Sequence, residues 1–263
     1  MALELNLTAT SSDLPAFFAN YSNPSNFTYN GNGWFNDSWT GVDQFVAGVD
    51  TGGVPNGKSS AIMNGSNYSY SPGAFSGDVD TLELGSNLEY DYVNDVWVQD
   101  EGLLIDFTNA TQTTAFSQAI YTLSHGGQLH GATVFGQSFA GLYDYFAEQG
   151  TVQNGTSGSD TLMSFAGDDV MNGGGGASDF DLFSWDEEFY ANGWGDDVIT
   201  DFVDGNDVIS ITGFGWSSYT DFTNAGGSIA GNVITYFDGT NSSTIEVNFF
   251  GSGTLDQNDL IFA

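Results

Sequence analysis

The chain has 263 residues, of which 34 are acidic and only Lys58 is basic, so its formal net charge is −33. This charge repels nucleic-acid phosphates and anionic lipid headgroups, which argues against nucleic acids and membrane surfaces as partners. Apolar residues make up 40% of the chain, enough for a hydrophobic core, and the absence of cysteine excludes disulfides.

The first 110 residues predict short strands and one helix near the N-terminus. Asp13 can cap a short helix that continues to Tyr21, and Pro15 is tolerated in its first turn. Apolar and polar residues alternate over 79–84 and 88–92, which is the pattern of half-buried strands in an antiparallel sheet.

The hydrophobic period changes after residue 110. Apolar residues at helical spacing predict a helix over Thr111–Ser124 and a second one over Gln137–Gln149. Gly150 stands where the second helix would stop. We therefore expect the first 150 residues to form an α+β domain, in which an antiparallel sheet is covered on one face by helices.

A nine-residue repeat follows. A glycine, an aspartate two residues later and an apolar residue two further on recur nine residues apart, as Gly158 and Gly167, Asp160 and Asp169, and Leu162 and Met171. Such spacing is typical of a calcium-binding parallel β-roll, in which glycines form tight turns and aspartates supply oxygen ligands. A flexible Gly/Asp-rich linker is the alternative. The candidate calcium-site residues are Gly155, Gly158, Asp160, Gly167, Asp168, Asp169, Asp179 and Asp181.

The glycine run at 172–177 indicates a third turn whose register slips. Ser178 stands where the repeat would place an aspartate, and Asp179 and Asp181 follow. Apolar residues between 198 and 247 predict further short strands. Residues 151–263 are therefore expected to be mainly β, with a short calcium-binding β-roll at their start.

The C-terminal part of the chain resembles a known family. The repeats, the segment 193–211 and the ending Asp259–Ala263 are similar to the C-terminal targeting domain of type I secreted proteins such as the serralysin-type proteases. This resemblance implies export by a type I secretion machinery without an N-terminal signal peptide, followed by calcium-driven folding outside the cell. The plainer interpretation of the ending is a terminal edge strand.

Few residues suggest catalysis. The chain contains no His-Glu-x-x-His and no Gly-x-Ser-x-Gly, which excludes the usual zinc-protease and lipase signatures. His125 and His130 straddle two glycines in a predicted loop. They are candidates for a metal or haem ligand, although polar loop residues are the simpler interpretation. We therefore expect a protein that is not an enzyme.

A second resemblance concerns the N-terminal domain. The run Gly65-Ser-Asn67-Tyr-Ser-Tyr70, followed by Gly-x-x-Asp-x-Leu-x-x-Gly at 77–85, resembles the haem-acquisition (HasA-type) hemophores. The resemblance implies a haem-capturing α+β domain in which Tyr70 is an axial ligand of ferric iron. The family's partner histidines are absent from 71–76 and from 21–34, where Tyr29 is the nearest donor.

Together these features predict a secreted, calcium-binding protein with a hemophore-like domain at 1–150 and a calcium-binding export domain at 151–263. The expected cofactors are calcium and haem, and the expected partners are haem or haem proteins. The alternative is a structural protein, such as a calcium-dependent filament, surface-layer or matrix subunit that assembles from identical copies. Its support is the near absence of basic residues and the missing haem-ligand histidines.

Overall fold

The structure is a computed structural model that describes residues 2–27, 34–37, 43–71, 74–134, 136–190 and 193–263. The chain divides into two compact units. The first unit contains residues 3–11 and 16–145, and the second contains residues 12–15 and 146–263. None of the helices in the described ranges is long and apolar enough to cross a membrane.

The α-helices of the described ranges are α1 (Leu14–Tyr21), α2 (Thr114–Gly126), α3 (Leu142–Gln149) and α4 (Tyr219–Asn224). Helix α2 begins after Thr113, whose hydroxyl accepts a hydrogen bond from the Phe116 N–H, and it ends at Gly127 with φ +61°. Helix α3 ends at Gly150 with φ +70°, where the sequence predicted its stop. Glycine adopts this left-handed conformation without the steric cost of a side chain.

The first unit is built on a continuous antiparallel sheet. Its strands lie in the order β1-β6-β5-β4-β3-β2, and each neighbouring pair is antiparallel. A separate hairpin pairs β7 with β8. The strands are β1 (Leu3–Leu7), β2 (Trp34–Asp37), β3 (Asp43–Ala47), β4 (Ser59–Ser71), β5 (Ala74–Asp91), β6 (Val96–Asp106), β7 (Ala132–Val134) and β8 (Gln137–Phe139).

The expected α+β domain with a helix-covered sheet is wrong. Strands contain 44% of the described residues and helices only 17%. The two predicted strands at 79–84 and 88–92 both fall in the 18-residue strand β5, except for Tyr92, because the register with β6 shifts at Gly85 and the chain does not turn there. A Cβ at Gly85 would lie 2.3 Å from the Asp100 carbonyl oxygen, so this close approach requires glycine.

The second predicted helix is also shorter than expected. Residues 137–139 form β8, and only the second half of the predicted span becomes helical, as α3. Gly141 separates the two, because a Cβ there would lie 2.2 Å from the carbonyl carbon of His130. The Gly141 N–H donates to the Asp144 carboxylate at 2.7 Å, which fixes the start of the helix at this point.

The second unit contains two parallel ladders. One runs β9-β11-β13-β17 and is extended by the antiparallel strands β16 and β15, and the other runs β10-β12-β14-β18. The strands are β9 (Thr151–Asn154), β10 (Thr161–Met163), β11 (Val170–Asn172), β12 (Leu182–Asp186), β13 (Asp196–Phe202), β14 (Val208–Thr212), β15 (Gly227–Ala230), β16 (Val233–Phe237), β17 (Ser242–Phe249) and β18 (Leu260–Phe262).

The nine-residue repeat sets the alternation between the two ladders. Leu162 in β10 and Met171 in β11 occupy equivalent positions of the repeat, and both side chains are fully buried. They nevertheless lie in different sheets, because each nine-residue step carries the chain from one ladder to the other. One full turn therefore takes two repeats, and Val170 of β11 pairs with Val152 of β9, eighteen residues earlier.

The outer edge of β10 is closed by one backbone carbonyl and one side-chain amide instead of a neighbouring strand of its ladder. The Thr161 N–H donates to the Ser12 carbonyl at 2.7 Å. The fully buried Gln153 side chain accepts from the Met163 N–H at 3.2 Å and donates to the Met163 carbonyl at 2.6 Å. The side-chain amide thus takes the place of a neighbouring strand, so this edge leaves no backbone group unpaired at Met163.

The core of the first unit provides a test of its packing. Phe116 is fully buried, and its ring contacts the rings of Phe75, Phe107 and Tyr145. We expect Phe116→Ala to lower the free energy of unfolding by about 3–5 kcal/mol, through lost burial and the cavity that remains. Urea denaturation measures this change. Val54→Ala, at a side chain that is 72% exposed, is the control, and an equal effect of the two substitutions would contradict the packing.

Candidate calcium site

Buried aspartates mark the starts of the parallel strands in the second unit. Each strand of the β10-β12-β14-β18 ladder is directly preceded by an aspartate whose side chain is at least 95% buried, namely Asp160, Asp181, Asp207 and Asp259. In the other ladder, the buried Asp169 precedes β11, and the buried Asp197 lies near the start of β13. Aspartates are seldom buried without a partner, so their contacts explain how the fold tolerates them.

The aspartates of the first of these ladders are linked through the backbone. The Asp181 carboxylate accepts a hydrogen bond from the Asp160 N–H at 2.8 Å, and the Asp207 carboxylate accepts one from the Asp181 N–H at 3.0 Å. The second oxygen of Asp160 accepts from the Thr156 N–H, and that of Asp207 accepts from the Val203 N–H. Asp207 therefore closes its own turn and joins it to the preceding turn of the ladder, whereas the Asp160 side chain closes its turn and the Asp181 side chain makes the link to Asp160.

The same arrangement is present in the other ladder. Asp169 accepts hydrogen bonds from the N–H and hydroxyl of Thr151 at 2.8 and 2.6 Å. The Asp169 N–H in turn donates to the Asp197 carboxylate at 2.9 Å. The Ser164 hydroxyl oxygen lies 2.8 Å from the Asp197 carboxylate and 3.3 Å from that of Asp169, and the Trp185 indole N–H donates to Asp197 at 2.7 Å. These donors satisfy the carboxylate oxygens, but they carry no positive charge that could offset the buried negative charges.

Burial makes the charged form of these aspartates costly. It raises the pKa of Asp169 to about 6. It also raises the pKa of Asp181 to about 6, with a further contribution from neighbouring aspartates. The pKa of Asp197 is raised well above its usual value by burial and by the charge of Asp169. The same cause raises the pKa of three further carboxyls, those of Asp160, Asp207 and Asp259.

The glycine run at 173–176, called here the glycine turn, lies against carboxylates. A Cβ at Gly173 would lie 2.1 Å from the Asp181 carboxylate, and one at Gly175 would lie 3.0 Å from that of Asp179. The Gly173 and Gly174 N–H groups both donate to Asp201 at 2.9 Å. The absence of side chains therefore allows the turn to approach three carboxylates closely.

The structure brings some of the predicted calcium-site residues together and separates others. The glycine turn is adjacent to Asp179 and Asp181, and it contacts the predicted Gly155, because a Cβ at Gly155 would lie 2.2 Å from the Gly173 carbonyl oxygen. The Asp160 N–H is bound to the Asp181 carboxylate. The other predicted residues, Gly167, Asp168 and Asp169, precede β11 in the opposite ladder, whereas Gly158 lies two residues before Asp160.

Asp197, Asp201 and Asp207 were not among the site residues predicted from the sequence. A usable signal was present, because an aspartate followed by two apolar residues recurs at 181–183, 197–199, 207–209 and 259–261. The spacing between these copies is irregular. The hydrogen-bonded pairs Thr151–Asp169, Asp160–Asp181, Asp181–Asp207 and Asp169–Asp197 are separated by 18, 21, 26 and 28 residues.

Calcium binds six to eight oxygen atoms, and backbone carbonyls can supply several of them. Among the described residues, no group of three or more His, Cys, Asp or Glu side chains is arranged to hold a metal ion. A site at the glycine turn would therefore combine one or two carboxylates with turn carbonyls. Such carbonyls are present, because the Gly155 and Thr156 carbonyl oxygens lie 2.9 and 2.6 Å from the position of a Cβ at Gly174.

The candidate haem ligands are only partly described. Tyr70 lies in β4, opposite Phe75 of β5, but its side chain, like the whole of Tyr29, lies outside the described residues. His125 is in the last turn of α2, and its Nδ1 lies 2.9 Å from the Tyr121 carbonyl oxygen.

The two histidine rings pack on different tyrosines. The His125 ring centroid is 3.9 Å from that of Tyr121, and the exposed His130 ring lies edge-on to Tyr143 at 4.4 Å. His125 also lines an open pocket of about 400 Å³ between the end of α2 and β7.

The hemophore-like motif has a clear local structure. The register of β4 and β5 shifts between Ser66 and Ser69, and Asn67 has φ +57° in this bulge. A Cβ at Gly65 would lie 2.5 Å from the Tyr68 hydroxyl, and one at Gly77 would lie 2.5 Å from the Tyr68 ring. The bulge and the packing of Tyr68 therefore explain the glycines and the asparagine of the motif.

Comparison with known proteins gives no family for this chain. No family model matches it, and no curated protein matches it.

The raised pKa values of the buried aspartates give the second unit a defined pH dependence. Between about pH 4, where an unfolded aspartate titrates, and about pH 6, where Asp169 and Asp181 titrate in the fold, the folded state binds more protons. Its stability therefore falls as the pH rises through this window. In the presence of a chelator, we expect calorimetry to give a higher Tm for the second unit at pH 5 than at pH 7.5.

Asp181→Asn is the matched variant for this measurement. Its amide oxygen can still accept the Asp160 N–H, but the side chain no longer titrates, so the difference between the two pH values should shrink. A Tm that rises from pH 5 to pH 7.5 in the wild-type chain would contradict the prediction.

Proposed function

We propose that this protein is an extracellular, non-enzymatic calcium-binding protein whose second unit is stabilised by calcium at its acidic turns. The observation that carries the proposal is the set of buried aspartates at the strand starts, in a chain whose only Lys or Arg is Lys58. The Lys58 ammonium donates to the Ser25 carbonyl in the first unit. Bound cations are therefore the means by which these negative charges can be offset.

The glycine turn is the best place for such an ion. Asp181 and Asp201 both lie against Gly173, and Asp179 accepts a hydrogen bond from the Gly176 N–H at 2.8 Å. The charges of Asp207, Asp160 and Asp201 each raise the pKa of Asp181, after the larger effect of its burial. A divalent cation near these carboxylates would remove their mutual repulsion, and calcium tolerates the mixed shell of carboxylates and carbonyls that the turn offers.

Calcium is favoured over other metals by the chemistry of the available ligands. Carboxylates and carbonyls are hard oxygen donors, and the chain has no cysteine and only two histidines for softer metals. Flexible oxygen shells of modest affinity suit extracellular calcium, which is abundant, and the resemblance to type I secreted proteins supports the same location. Folding would then follow export, because calcium binding and folding of such turns are coupled.

Haem capture by the first unit is a second candidate function. It is supported by the bulge at Ser66–Ser69, which gives the hemophore-like motif a defined backbone just before Tyr70. A phenolate at this position suits ferric iron, since tyrosine is an established type of haem ligand. Haem or haem proteins would then be the partners of the first unit.

The calcium proposal predicts a specific thermal shift. Calcium at one hundred times its dissociation constant should stabilise the second unit by about 2.7 kcal/mol, and chelation should remove this gain. For a unit of this size, that corresponds to a rise in Tm of roughly 10 °C. Scanning calorimetry with calcium, with magnesium and with chelator measures the effect, and an unchanged melting curve would refute the proposal.

Charge removal at the glycine turn tests the location of the ion. The double substitution Asp179→Asn with Asp201→Asn should remove more than half of the calcium-induced rise in Tm. Asp238→Asn is the control, because Asp238 lies in the loop between β16 and β17 and an asparagine can still cap that turn. Equal calcium responses of the double variant and the control would place the ion elsewhere.

The haem proposal predicts an absorbance change on titration with haemin. Wild-type protein should bind one equivalent with a shifted Soret band, and Tyr70→Phe should lose the shift because it lacks the phenolate oxygen. His125→Ala, as a comparison, removes the pocket-lining imidazole. The same spectrum in wild-type protein and Tyr70→Phe would rule out Tyr70 as the ligand.

A further inference from the structure

The loop between β5 and β6 displays two apolar side chains to solvent. Tyr92 is 84% exposed and Val93 is 91% exposed. They lie in a four-residue loop, since Asp91 pairs with Val96 across the hairpin. Single exposed apolar residues are ordinary on protein surfaces, but two adjacent ones at the tip of a hairpin form a continuous apolar projection. We call residues 91–95 the hairpin tip.

The turn of the hairpin tip is closed by hydrogen bonds to Asp91. The Asp91 carboxylate accepts hydrogen bonds from the Val93 N–H at 2.8 Å, the Asn94 N–H at 3.2 Å and the Asn94 side chain at 2.6 Å. The Asp95 N–H donates to the Asp91 carbonyl, which closes the turn. The hydrogen bond from the Asn94 side chain, followed by those from the two backbone N–H groups, lowers the pKa of Asp91. The carboxylate therefore stays charged above acidic pH.

A second loop of the same length shows that such a turn needs no large side chains. Asp238 in the loop between β16 and β17 accepts hydrogen bonds from the Thr240 N–H, the Asn241 N–H and the Asn241 side chain. That loop carries Gly239 and Thr240 at its tip, with φ +98° at the glycine. The aromatic and aliphatic side chains of the hairpin tip are therefore not required to close a loop of this kind.

The Tyr92 ring nevertheless packs against other aromatic rings of the hairpin. Its ring lies edge-on to Tyr90, with 4.9 Å between centroids, and Tyr90 lies edge-on to Trp97 at 5.1 Å. Trp97 packs against the buried cluster of Val46, Ile62 and Leu88. The exposed ring is thus fixed to the core through two aromatic contacts, which reduces the conformational entropy that it would lose on binding.

The charges around the hairpin tip limit the partners it can take. Asp91 and Asp95 flank Tyr92 and Val93, and Glu89 is exposed two residues before Asp91. With a net charge of −33, the chain repels anionic lipids, nucleic acids and further copies of itself. A partner with positive charges around an apolar cleft satisfies both the carboxylates and the apolar side chains.

From this combination we propose that the hairpin tip is a docking element for a basic protein surface, with Tyr92 and Val93 as its apolar anchor. Tyrosine is enriched at the centres of protein interfaces, where it contributes contact area at little entropic cost. The flanking carboxylates accelerate association and exclude acidic surfaces, and the two apolar side chains supply most of the binding energy after contact.

The test compares a tip variant with the wild-type chain on two probes. The tip variant, Tyr92→Ser with Val93→Thr, keeps Asp91 and its contacts. The control variant is Phe237→Ser, which changes a 49% exposed aromatic residue beside the loop of Asp238. The probes are a labelled peptide of alternating lysine and leucine, and polylysine of the same charge. Fluorescence anisotropy at 0.15 M salt measures both affinities.

We expect the tip variant to bind the lysine–leucine peptide about tenfold more weakly and polylysine unchanged, while Phe237→Ser leaves both affinities unchanged. Equal weakening on both probes, or no weakening, would show that charge alone drives binding and would overturn the proposal. A Tm of the tip variant several degrees below that of the wild type would show that Tyr92 and Val93 stabilise the fold, and it would overturn the proposal. Binding of the wild-type tip to phosphatidylcholine vesicles, cellulose or a second copy, lost in the tip variant, would also overturn it.

Discussion

The second unit depends on hydrogen bonds between aspartate carboxylates and the backbone N–H groups of neighbouring turns. Asp181 accepts from the Asp160 N–H, and Asp197 accepts from the Asp169 N–H, so these turns are joined to their neighbours through buried carboxylates. A carboxylate anion accepts a stronger hydrogen bond than a carbonyl does, which favours these contacts. The same burial raises the free energy of the charged state, and with it the pKa of these carboxyls.

This constraint explains the unusual composition of the chain. A basic side chain near the ladders would form ion pairs with these carboxylates and compete with the backbone N–H groups that now bind them. With Lys58 as the only Lys or Arg, the buried aspartates described above accept hydrogen bonds from backbone, hydroxyl and indole donors, all of them uncharged. The unfolded chain can place water around every carboxylate, so burial of these groups opposes folding when they are charged.

Local signals in the sequence predicted part of this structure. The stop at Gly150 and the inward positions of Leu162 and Met171 follow from short-range chemistry, because a left-handed glycine and a nine-residue period require no distant partner. The helix-covered sheet was wrong because Gly85 continues a strand through a bulge and Gly141 interrupts a helix. Both glycines are explained only by backbone from a distant segment, Asp100 in one case and His130 in the other.

The candidate site was predictable to a similar extent. Asp160 and Asp181 could be found from their neighbours in sequence, but their contact could not, since 21 residues separate them and the repeat has lost its period there. Asp197 and Asp207 carry the same Asp-apolar-apolar signal at irregular intervals. The glycines of the hemophore-like motif differ from these aspartates. The sequence interpreted them as part of a ligand site, but in the fold Gly65 and Gly77 leave room for the Tyr68 side chain.

The closed edge of β10 determines where this architecture can grow. Gln153 and Ser12 satisfy the outward backbone groups of the first strand in its ladder, so a repeat added before β10 would displace a buried amide. An insertion of eighteen residues after Asn172 avoids this, because it would add one strand to each ladder between existing neighbours. Gene duplication or protein engineering can therefore lengthen the two parallel ladders from within, so that their length varies while the strands at both ends are retained.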